Sequence, residues 1–285
     1  MKLEKIHAKL FENKVVLEPH IVIDNSWKFQ KHTQMGSNKG GIFTDQQGKE
    51  FYIKFYRNPL QVESEFAATK VHELMGVKVL PINIAVNQND EFAKYSGMPK
   101  GKIGIMSKFN PNLQILGRRF HEISATDADH LGKSYVAAIL CENWDVIGLD
   151  VDNQVRDMAS KELYSIDHGG SLNFRAQGGD KAFDEHNIKT KDSLRQYSPA
   201  KDVFDFVFEK FPEAESSAIR SLKNIQTGQV LDIFKVAGFT NAGKFTRTIM
   251  TRVHRLLEHY GHAVSQDEKD AVAKIKDTEG NENMN

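Results

Sequence analysis

The sequence of 285 residues is 40% hydrophobic and 27% charged, which is typical of a soluble globular protein with a sizeable core. Lysine plus arginine and aspartate plus glutamate number 38 each, so no net charge favours nucleic acid or an anionic membrane. The single cysteine, Cys141, excludes an intramolecular disulfide framework, and no apolar run reaches the roughly 18 residues of a membrane span. We therefore expect a cytoplasmic protein that spans no membrane and binds no nucleic acid.

The first part of the chain, to about residue 110, is predicted to consist mostly of strands. The segments GGIFTD and EFYIKFY, joined by the turn QQGK, predict an antiparallel hairpin of aromatic and β-branched residues. Residues 59–76 predict a helix, with Pro59 in its first turn and Gly76 at its C-terminal cap. The apolar face of this helix is formed by Phe66, Val71 and Leu74. KVLPINIAV and GKIGIMSKF predict two more strands, separated by the polar turn NQND.

The second part of the chain, from about Thr126, is predicted to be helical. DADHLGKSYVAAILCENWDVIG carries apolar residues at helical spacing after Asp127, a candidate N-cap. These apolar residues are Leu131, Tyr135, Ala138, Ile139 and Trp144. Helices resume after Ser198 and end with a strong helix over residues 241–261, whose outer side is predicted to be basic and solvated. The basic residues are Lys244, Arg247, Arg252 and Arg255.

Strands followed by helices predict an α+β fold with two lobes. We expect a β-rich N-terminal lobe over residues 1–110 and a helical lobe over residues 111–265. Residues 148–174 form a loop-rich insert of short strand-like pieces within the helical lobe. The polar residues 266–285 are expected to be a disordered tail.

The segment QMGSNKGGIF contains Gly36, Gly40 and Gly41, whose backbone amides can approach an anion closely. With Ser37 and Asn38 these glycines form a candidate phosphate-binding turn. The segment matches neither G-x-x-x-x-G-K-[ST] nor a strand-to-helix G-x-G-x-x-G, and it leads into a strand. This argues against a Walker-type or Rossmann site and leaves a plain glycine-rich hairpin turn as the alternative.

Lys54 lies within the apolar strand FYIKFY, on the same face as Tyr52 and Tyr56 because side chains alternate along a strand. The strand follows the glycine-rich segment directly, so its lysine can reach the same anion; a lysine on a solvent face is the alternative. The next helix offers Glu63 and Glu65, and either can pair with Lys54. For Glu63 we favour a surface position facing water.

The stretch CENWDVIGLDVDN offers Asp145, Asp150, Asp152 and Asn153 within nine positions, a set that suits Mg²⁺ and a general base. A capped turn with solvated acids is the alternative. Asp167 follows at the end of ELYSID, where it is either a turn residue or a metal ligand. Phosphoryl transfer requires a set of groups that occur in this chain in the expected order. They are a glycine-rich hairpin, a lysine on a strand, a glutamate on a helix, a loop with aspartate and asparagine, and an aspartate at the end of a strand.

These segments resemble the protein-kinase-like superfamily, and within it the atypical bacterial HipA-type kinases and a group of small bacterial or phage kinases. SEFAATKVHELMGVKVLP is similar to the HipA-type helix N-E-x-x-C-x-x-L-A-x-x-x-G-[IL]-x-V-P. ENWD resembles the N-x-D that opens the catalytic loop, and SIDHGGSL resembles the metal-binding D-x-G element shared with phosphatidylinositol kinases. The resemblance covers residues 36–174 and implies a two-lobed kinase fold.

The resemblance also implies an ATP- and Mg²⁺-dependent phosphotransferase, with a serine/threonine protein kinase favoured. It places GIMSKF at the hinge strand whose backbone would hold the adenine, and it selects Glu65 as the partner of Lys54. The implied ATP-binding residues are Gly36, Ser37, Asn38, Gly40, Gly41, Lys54, Glu65, Met106 and Lys108. Asp145 would be the catalytic base, and Asn153 and Asp167 would bind Mg²⁺.

The sequence departs from the family pattern between Asp145 and Asn153, which are eight positions apart. This step is longer than in the family, and the histidine that is often found within it is missing. Either the loop contains an insertion or Asp150 takes one of the two roles. His168, next to Asp167, is expected to fill space in its loop.

The resemblance leaves three alternatives to a protein kinase. The fold can transfer AMP or another group, it can bind nucleotide without turnover as a pseudokinase, or it can phosphorylate a small molecule. The acceptor substrate is not determined by any motif in the sequence.

Overall fold

The computed structural model describes residues 20–33, 38–96, 100–185, 194–196 and 198–277. Its first half forms a six-stranded sheet in the order β1-β5-β6-β4-β3-β2. The strands are β1 (Ile21–Ile23), β2 (Lys28–Thr33), β3 (Lys39–Thr44), β4 (Glu50–Phe55), β5 (Ile82–Asn87) and β6 (Ile103–Lys108). Only β1 and β5 pair in parallel; the other described pairs of this sheet are antiparallel. The predicted hairpin is confirmed as β3 and β4.

Helix α1 (Pro59–Leu74) begins and ends at the residues that the sequence indicates. The side chain of Asn58 accepts a hydrogen bond from the Leu60 N–H, and Pro59 occupies the first helical position, where a missing N–H costs nothing. Gly76 follows the helix with a φ of +78°, a left-handed conformation that glycine adopts without strain. The helix packs against the sheet on one side and against helices of the second half on the other.

A second helix, α2 (Asp90–Ser96), lies between β5 and β6, where the sequence predicts only a polar turn at NQND. The Asn89 side chain accepts from the Phe92 N–H at 2.9 Å and so caps this helix. Phe92 is fully buried and packs against Phe43 and Phe55. The helix therefore forms because one aromatic side chain anchors it to the core of the sheet, a contact that the polar composition of the turn conceals.

The second half of the chain is mainly helical and contains one small sheet. Its helices are α3 (Ala125–Cys141), α4 (Ala200–Lys210), α5 (Glu213–Leu222), α6 (Thr227–Ala237), α7 (Ala242–His259) and α8 (Gln266–Ala273). The small sheet consists of β7 (Leu113–Ile115), β8 (Gln154–Asp157) and β9 (Leu163–Ser165), and a 3-10 helix covers Gly117–Glu122. The predicted α+β fold, with a β-rich first half and a helical second half, is confirmed.

Helix α3 differs from its prediction at both ends. Ser124, not Asp127, is the N-cap, and Asp127 completes a capping box by accepting the Ser124 N–H at 2.9 Å. The helix ends at Cys141 because Glu142 takes a left-handed conformation with a φ of +53°. Trp144 therefore lies in the following loop and is 41% exposed, rather than on the apolar face of a helix. Cys141, the last residue of the helix, is fully buried.

The prediction that Arg252 lies on a solvated outer face of α7 is wrong. Its side chain is fully buried, with Nη2 2.7 Å from Oε2 of the buried Glu142. Nη1 donates to the carbonyl of Ile139 at 3.2 Å, and Nη2 donates to the carbonyl of Asp184 at 2.9 Å. The guanidinium carbon lies 4.3 Å from the centre of the Phe183 ring. Arg252 is buried because a charged partner and several carbonyls surround it, which helical periodicity does not reveal.

The predicted disordered tail is wrong for residues 266–273, which form α8. Ser265 and Glu268 form a capping box, and Val272 is 5% exposed against α7. Residues 278–285 lie outside the described residues. The polar composition thus concealed a short helix held by its cap and by one buried side chain.

Two apolar cores lie on either side of the six-stranded sheet. A small one is formed by Ile23, Phe43, Ile53, Phe55, Ala85, Phe92 and Met106. The larger core begins at α1 and continues through α3 and α7. Among the described residues, none of the helices is both long and apolar enough to cross a membrane.

Candidate active site

A buried ion pair joins the sheet to helix α1. Lys54 on β4 places Nζ 3.1 Å from Oε2 of Glu65 on α1, and both side chains are nearly excluded from water. Burial alone would lower the pKa of Lys54, but the carboxylates of Glu65 and Asp167 raise it well above its usual range. The lysine is therefore a fixed cation, and Glu65, not Glu63, is its helical partner.

Asp167 is the third member of this group. It follows β9, and its Oδ1 lies 2.8 Å from Lys54 Nζ. Partial burial opposes ionisation, but the Lys54 ammonium and the Gly169 N–H hold the pKa of the Asp167 carboxyl below its usual range. Its φ of +56° lies in the left-handed region, which turns the chain sharply after the strand. One residue is thus both a turn residue and a charged ligand of the site.

Gly169 allows the loop after Asp167 to pass close to β4 and α1. A Cβ atom at this position would lie 2.3 Å from the Tyr56 hydroxyl and 3.3 Å from Oε2 of Glu65. The Gly169 carbonyl accepts a hydrogen bond from Nε2 of Gln61 at 3.1 Å. Since the buried Tyr56 has no room to retreat, the loop can reach Lys54 only with glycine here.

We expect Gly169→Ala to lower the free energy of unfolding by about 1–3 kcal/mol, because an added methyl group in this contact forces a shift of packed neighbours. Gly179→Ala is the matched control, since the nearest atom to a Cβ there lies 3.7 Å away. Urea denaturation of the two variants measures the difference. Equal stabilities would contradict the tight contact at Gly169.

Asp145 and Asn153 are brought together despite the eight positions between them. Nδ2 of Asn153 donates to the carbonyl of Asp145 at 2.6 Å, and the Asn153 N–H donates to the carbonyl of Ile147 at 3.2 Å. The intervening residues form a separate turn in which Gly148 has a φ of +77°. The residues between them therefore form a turn of their own, here called the inserted turn after the insertion predicted from the sequence.

Asp150 lies within this inserted turn and is exposed. Its N–H donates to Oδ1 of Asp152 at 3.4 Å, which closes the turn. Asp145, by contrast, is partly buried near Asp167. Partial burial, and then the charges of Asp167 and Asp152, raise the pKa of Asp145 to about 6. Of the two candidate bases, only Asp145 belongs to the cluster of charged groups.

The pairing of β8 with β9 places Asn153 opposite Ile166, the residue before Asp167. Gln154 is the register partner of Ser165, so the residues just outside this pair lie next to each other. The Ile166 N–H accordingly donates to the carbonyl of Asn153 at 3.0 Å. Two predicted metal ligands that are distant in sequence thus emerge from the same end of one antiparallel pair.

His168 and Asn143 connect the loop of Asp167 to the loop of Asp145. The His168 ring is 1% exposed and stacks on His72 of α1, with ring centres 4.0 Å apart. Its Nδ1 lies 3.5 Å from Nδ2 of Asn143, whose Oδ1 accepts from the Asp145 N–H at 3.1 Å. His168 fills space, as predicted, but it is a buried core residue that links the loops of Asp145 and Asp167.

The glycine-rich segment is only partly described: Gly36 and Ser37 lie outside the described residues, and Asn38 is partly buried. Gly40 and Gly41 lie within β3 rather than in the turn, and Gly40 is the register partner of Lys54. A Cβ at Gly40 would lie 2.8 Å from the Ile53 carbonyl. Close strand packing therefore requires this glycine next to the lysine.

The predicted hinge residues lie on β6, beside β4. The Met106 side chain is 2% exposed in the smaller core, and its backbone lies between β4 and β5, where its register partners are Ile53 and Asn83. Lys108 is exposed at the end of the strand. Glu63 does not face water freely: it is partly buried near Gly238, and burial raises its pKa to about 7.

The oxygen donors around Asp167 fit a magnesium ion that arrives with a nucleotide. Asp167 offers a carboxylate on a side chain that is 48% exposed, and Asn153 offers a carboxamide at the same end of the β8–β9 pair. Within the described residues, no three His, Cys, Asp or Glu side chains form a metal-binding group of their own. Mg²⁺ commonly uses one or two protein carboxylates and takes its remaining ligands from water and phosphates. The donor set of Asp167 and Asn153 suits a site of this kind, in which water and phosphates complete the coordination of Mg²⁺.

Comparisons with known proteins bear on the fold. Neither a protein-family model nor a curated protein sequence matches the chain. The crystal structure of a Helicobacter pylori proinflammatory kinase, CtkA, aligns over 90% of this chain and 100% of that chain, with a TM-score of 0.51 and 12% identity. The chain has a protein-kinase-like fold. The golgi casein kinase aligns over 87% of this chain and 76% of that chain, with 11% identity. Its TM-score of 0.36 is too low to add to the fold assignment.

The kinase-like fold confirms the two-part architecture predicted from the sequence, and it accounts for the position of the charged cluster. The sheet with α1 lies on one side of Lys54, and the loops of Asp145 and Asp167 approach from the helical part. The cluster therefore lies where the β-rich and helical parts of the fold meet.

Two residues of the site were not recognised from the sequence: Tyr56 and Gln61. Tyr56 donates a hydrogen bond to Glu65, and Gln61 donates one to the loop of Asp167. A signal existed for Tyr56, which shares a strand face with Lys54. Gln61 gave none, because its importance arises from a contact between segments more than a hundred positions apart.

Proposed function

We propose that this protein is an ATP- and Mg²⁺-dependent phosphotransferase, and that it phosphorylates serine or threonine hydroxyls of proteins. The observation that carries the proposal is the contact of Lys54 with both Glu65 and Asp167. The three residues come from β4, α1 and the loop after β9, so folding rather than local sequence brings them together. Phosphoryl transfer depends on such fixed charges to position and neutralise a triphosphate.

In this proposal each charged group has a separate task. Lys54 exchanges the Asp167 carboxylate for the α- and β-phosphates and remains bound to Glu65. Asp167 and Asn153 would hold Mg²⁺, which when bound neutralises charge on the phosphates. The glycine-rich segment next to Lys54 would cover the phosphates. The adenine would lie at the end of β6, past Met106 and beside the backbone at Lys108.

Asp145 would orient the acceptor hydroxyl and accept its proton. With a pKa of about 6, its carboxyl is mostly ionised at neutral pH and therefore able to act as a base. The serine/threonine specificity and the HipA-type kinship are supported by the resemblance of SEFAATKVHELMGVKVLP and ENWD to that branch.

The test is transfer of label from γ-labelled ATP by the purified chain to a protein acceptor or to itself. We expect Lys54→Ala and Asp167→Ala each to lower the rate at least about a hundredfold, because each removes a charge that faces the phosphates. Lys223→Ala, at an exposed site in the helical half, is the control and retains the wild-type rate.

Each other result counts against the proposal in a distinct way. Label incorporation that persists in both variants would contradict the assignment of the site. Modification by AMP, identified by the mass of the product, would replace phosphoryl transfer with nucleotidyl transfer. Thermal stabilisation by ATP without any product would indicate a pseudokinase, and label on a small molecule alone would refute the protein acceptor.

A further inference from the structure

Tyr56 contacts both members of the Lys54–Glu65 ion pair. It follows β4 directly and shares the Lys54 face of that strand, and its side chain is 1% exposed. The hydroxyl donates a hydrogen bond to Oε2 of Glu65. The Lys54 ammonium lies 4.9 Å from the centre of the Tyr56 ring, a distance at which the ring face attracts a cation. Tyr56 is therefore in contact with the helical anion and with the strand cation at once.

The charges of the cluster explain why Glu65 needs this second donor. Lys54 is one cation shared between two carboxylates, and Glu65 is 4% exposed. A carboxylate out of contact with water is stable in its ionised form only if hydrogen bonds or opposite charges replace its hydration. Lys54 supplies part of this stabilisation, with Nζ 3.2 Å from Oε1 and 3.1 Å from Oε2 of Glu65, and the Tyr56 hydroxyl adds a second donor to Oε2.

The Tyr56 hydroxyl also remains a donor under all ordinary conditions. Burial, and then the neighbouring Glu65 charge, raise the pKa of Tyr56 well above its usual range. Gly169 packs directly against this hydroxyl, so the loop of Asp167 covers the hydrogen bond and keeps water out. The contact is thus enclosed by β4, α1 and the loop after β9.

We propose that Tyr56 is a positioning residue that holds Glu65 in place, so that Lys54 can leave Asp167 and bind the phosphates of a nucleotide. The inference rests on the proposed function, because it assigns the phosphates as the ligand of Lys54. It adds a third residue, Tyr56, to the pair formed by Lys54 and Glu65. Tyr56 acts through Glu65 and touches neither the nucleotide nor the acceptor.

The test compares the affinities of wild type and Tyr56→Phe for ATP with Mg²⁺ and for adenosine, by isothermal titration calorimetry. We expect the affinity for ATP to fall about tenfold, since a hydrogen bond to a charged group is lost, and the affinity for adenosine to change less than about twofold. Tyr164→Phe is the matched control because it removes a tyrosine hydroxyl that donates to Glu162 at 2.8 Å, outside the site.

A double-mutant cycle then shows whether Tyr56 acts through Glu65. In a Glu65→Gln background, Tyr56→Phe is expected to have little further effect on ATP affinity, because the carboxylate that it serves is gone. An undiminished tenfold loss in that background would overturn the proposal. So would equal losses for ATP and adenosine, which would mean that the substitution disturbs the fold in general.

A second measurement separates this inference from the proposed function. The same four proteins are unfolded in urea, where coupling between Tyr56 and Glu65 is read without any ligand. Coupling in urea together with no ATP binding by the wild type would refute the proposed function and, with it, the role of Tyr56 in phosphate binding. ATP binding by the wild type with no coupling in either cycle would refute the role of Tyr56 alone.

Discussion

Asp145→Asn is expected to lower the rate of phosphoryl transfer by about 10²–10⁴-fold, the usual contribution of a general base. The charges of Asp167 and Lys54 act on the Asp145 carboxylate. Asparagine has nearly the same shape but cannot accept the proton of the acceptor hydroxyl. Asp150→Asn is expected to leave the rate within about twofold, because Asp150 is exposed on the inserted turn.

Single-turnover kinetics with saturating ATP and Mg²⁺ measure this rate, and ATP affinity is determined for each variant beside it. ATP binding is expected to persist in Asp145→Asn, since the base does not hold the phosphates in this assignment. A large loss of rate in Asp150→Asn, with Asp145→Asn near wild type, would transfer the role of base to Asp150. It would also mean that the inserted turn closes over the site during the reaction.

Arg252→Met is expected to lower the free energy of unfolding by about 3–5 kcal/mol, the cost of removing one partner of a buried ion pair. The guanidinium is fully buried against Glu142, and it donates to the carbonyl of Asp184. Methionine fills much of the volume but leaves the Glu142 carboxylate without its cation and Asp184 without its donor. The loss comes mainly from that uncompensated charge rather than from packing.

Urea denaturation followed by circular dichroism measures the stability of Arg252→Met. Arg255→Met on the same helix is the control; its side chain is exposed, and we expect a change within about 0.5 kcal/mol. Adding Glu142→Gln to Arg252→Met is expected to recover part of the loss, because the unpaired charge is removed. A double variant less stable than Arg252→Met alone would show that packing, not charge, sets the cost.

The buried ion pair of Arg252 and Glu142 also connects the helical core to the loops of the candidate site. Glu142 ends α3 immediately before the loop of Asp145, and Lys181 donates to the carbonyls of both Glu142 and Gly170. Gly170 belongs to the loop of Asp167. The ends of the two loops that carry the site are therefore tied to the helical core and to each other.

The elements with strong local patterns were predictable from the sequence. The β3–β4 hairpin, helix α1 and helix α7 follow from alternation, caps and helical periodicity, which depend on neighbouring residues alone. Helices α2 and α8 were missed because each is anchored by one buried side chain, Phe92 or Val272, within a polar segment. No local pattern distinguishes such a residue from an exposed one.

For the site, the residue types and their order indicated phosphoryl chemistry, since lysine, glutamate, aspartate and asparagine occur in the sequence that this chemistry requires. The sequence left open whether Asp145 or Asp150 belongs to the site. The structure brings Asp145 to Asp167 and leaves Asp150 exposed because Asn153 folds back onto the Asp145 carbonyl and excludes the inserted turn. That bond spans eight positions, and its geometry depends on the pairing of β8 with β9.

By itself, the sequence determined the class of fold, the strands and helices with strong local patterns, and the candidate charged residues, because these depend on composition and short-range periodicity. Tertiary structure alone decided that Lys54 contacts Asp167 as well as Glu65, that the Tyr56 hydroxyl donates to Glu65, and that Arg252 is buried. Each of these depends on burial and on contacts between distant segments, which fix both the partner of a charge and the free energy of leaving it unpaired.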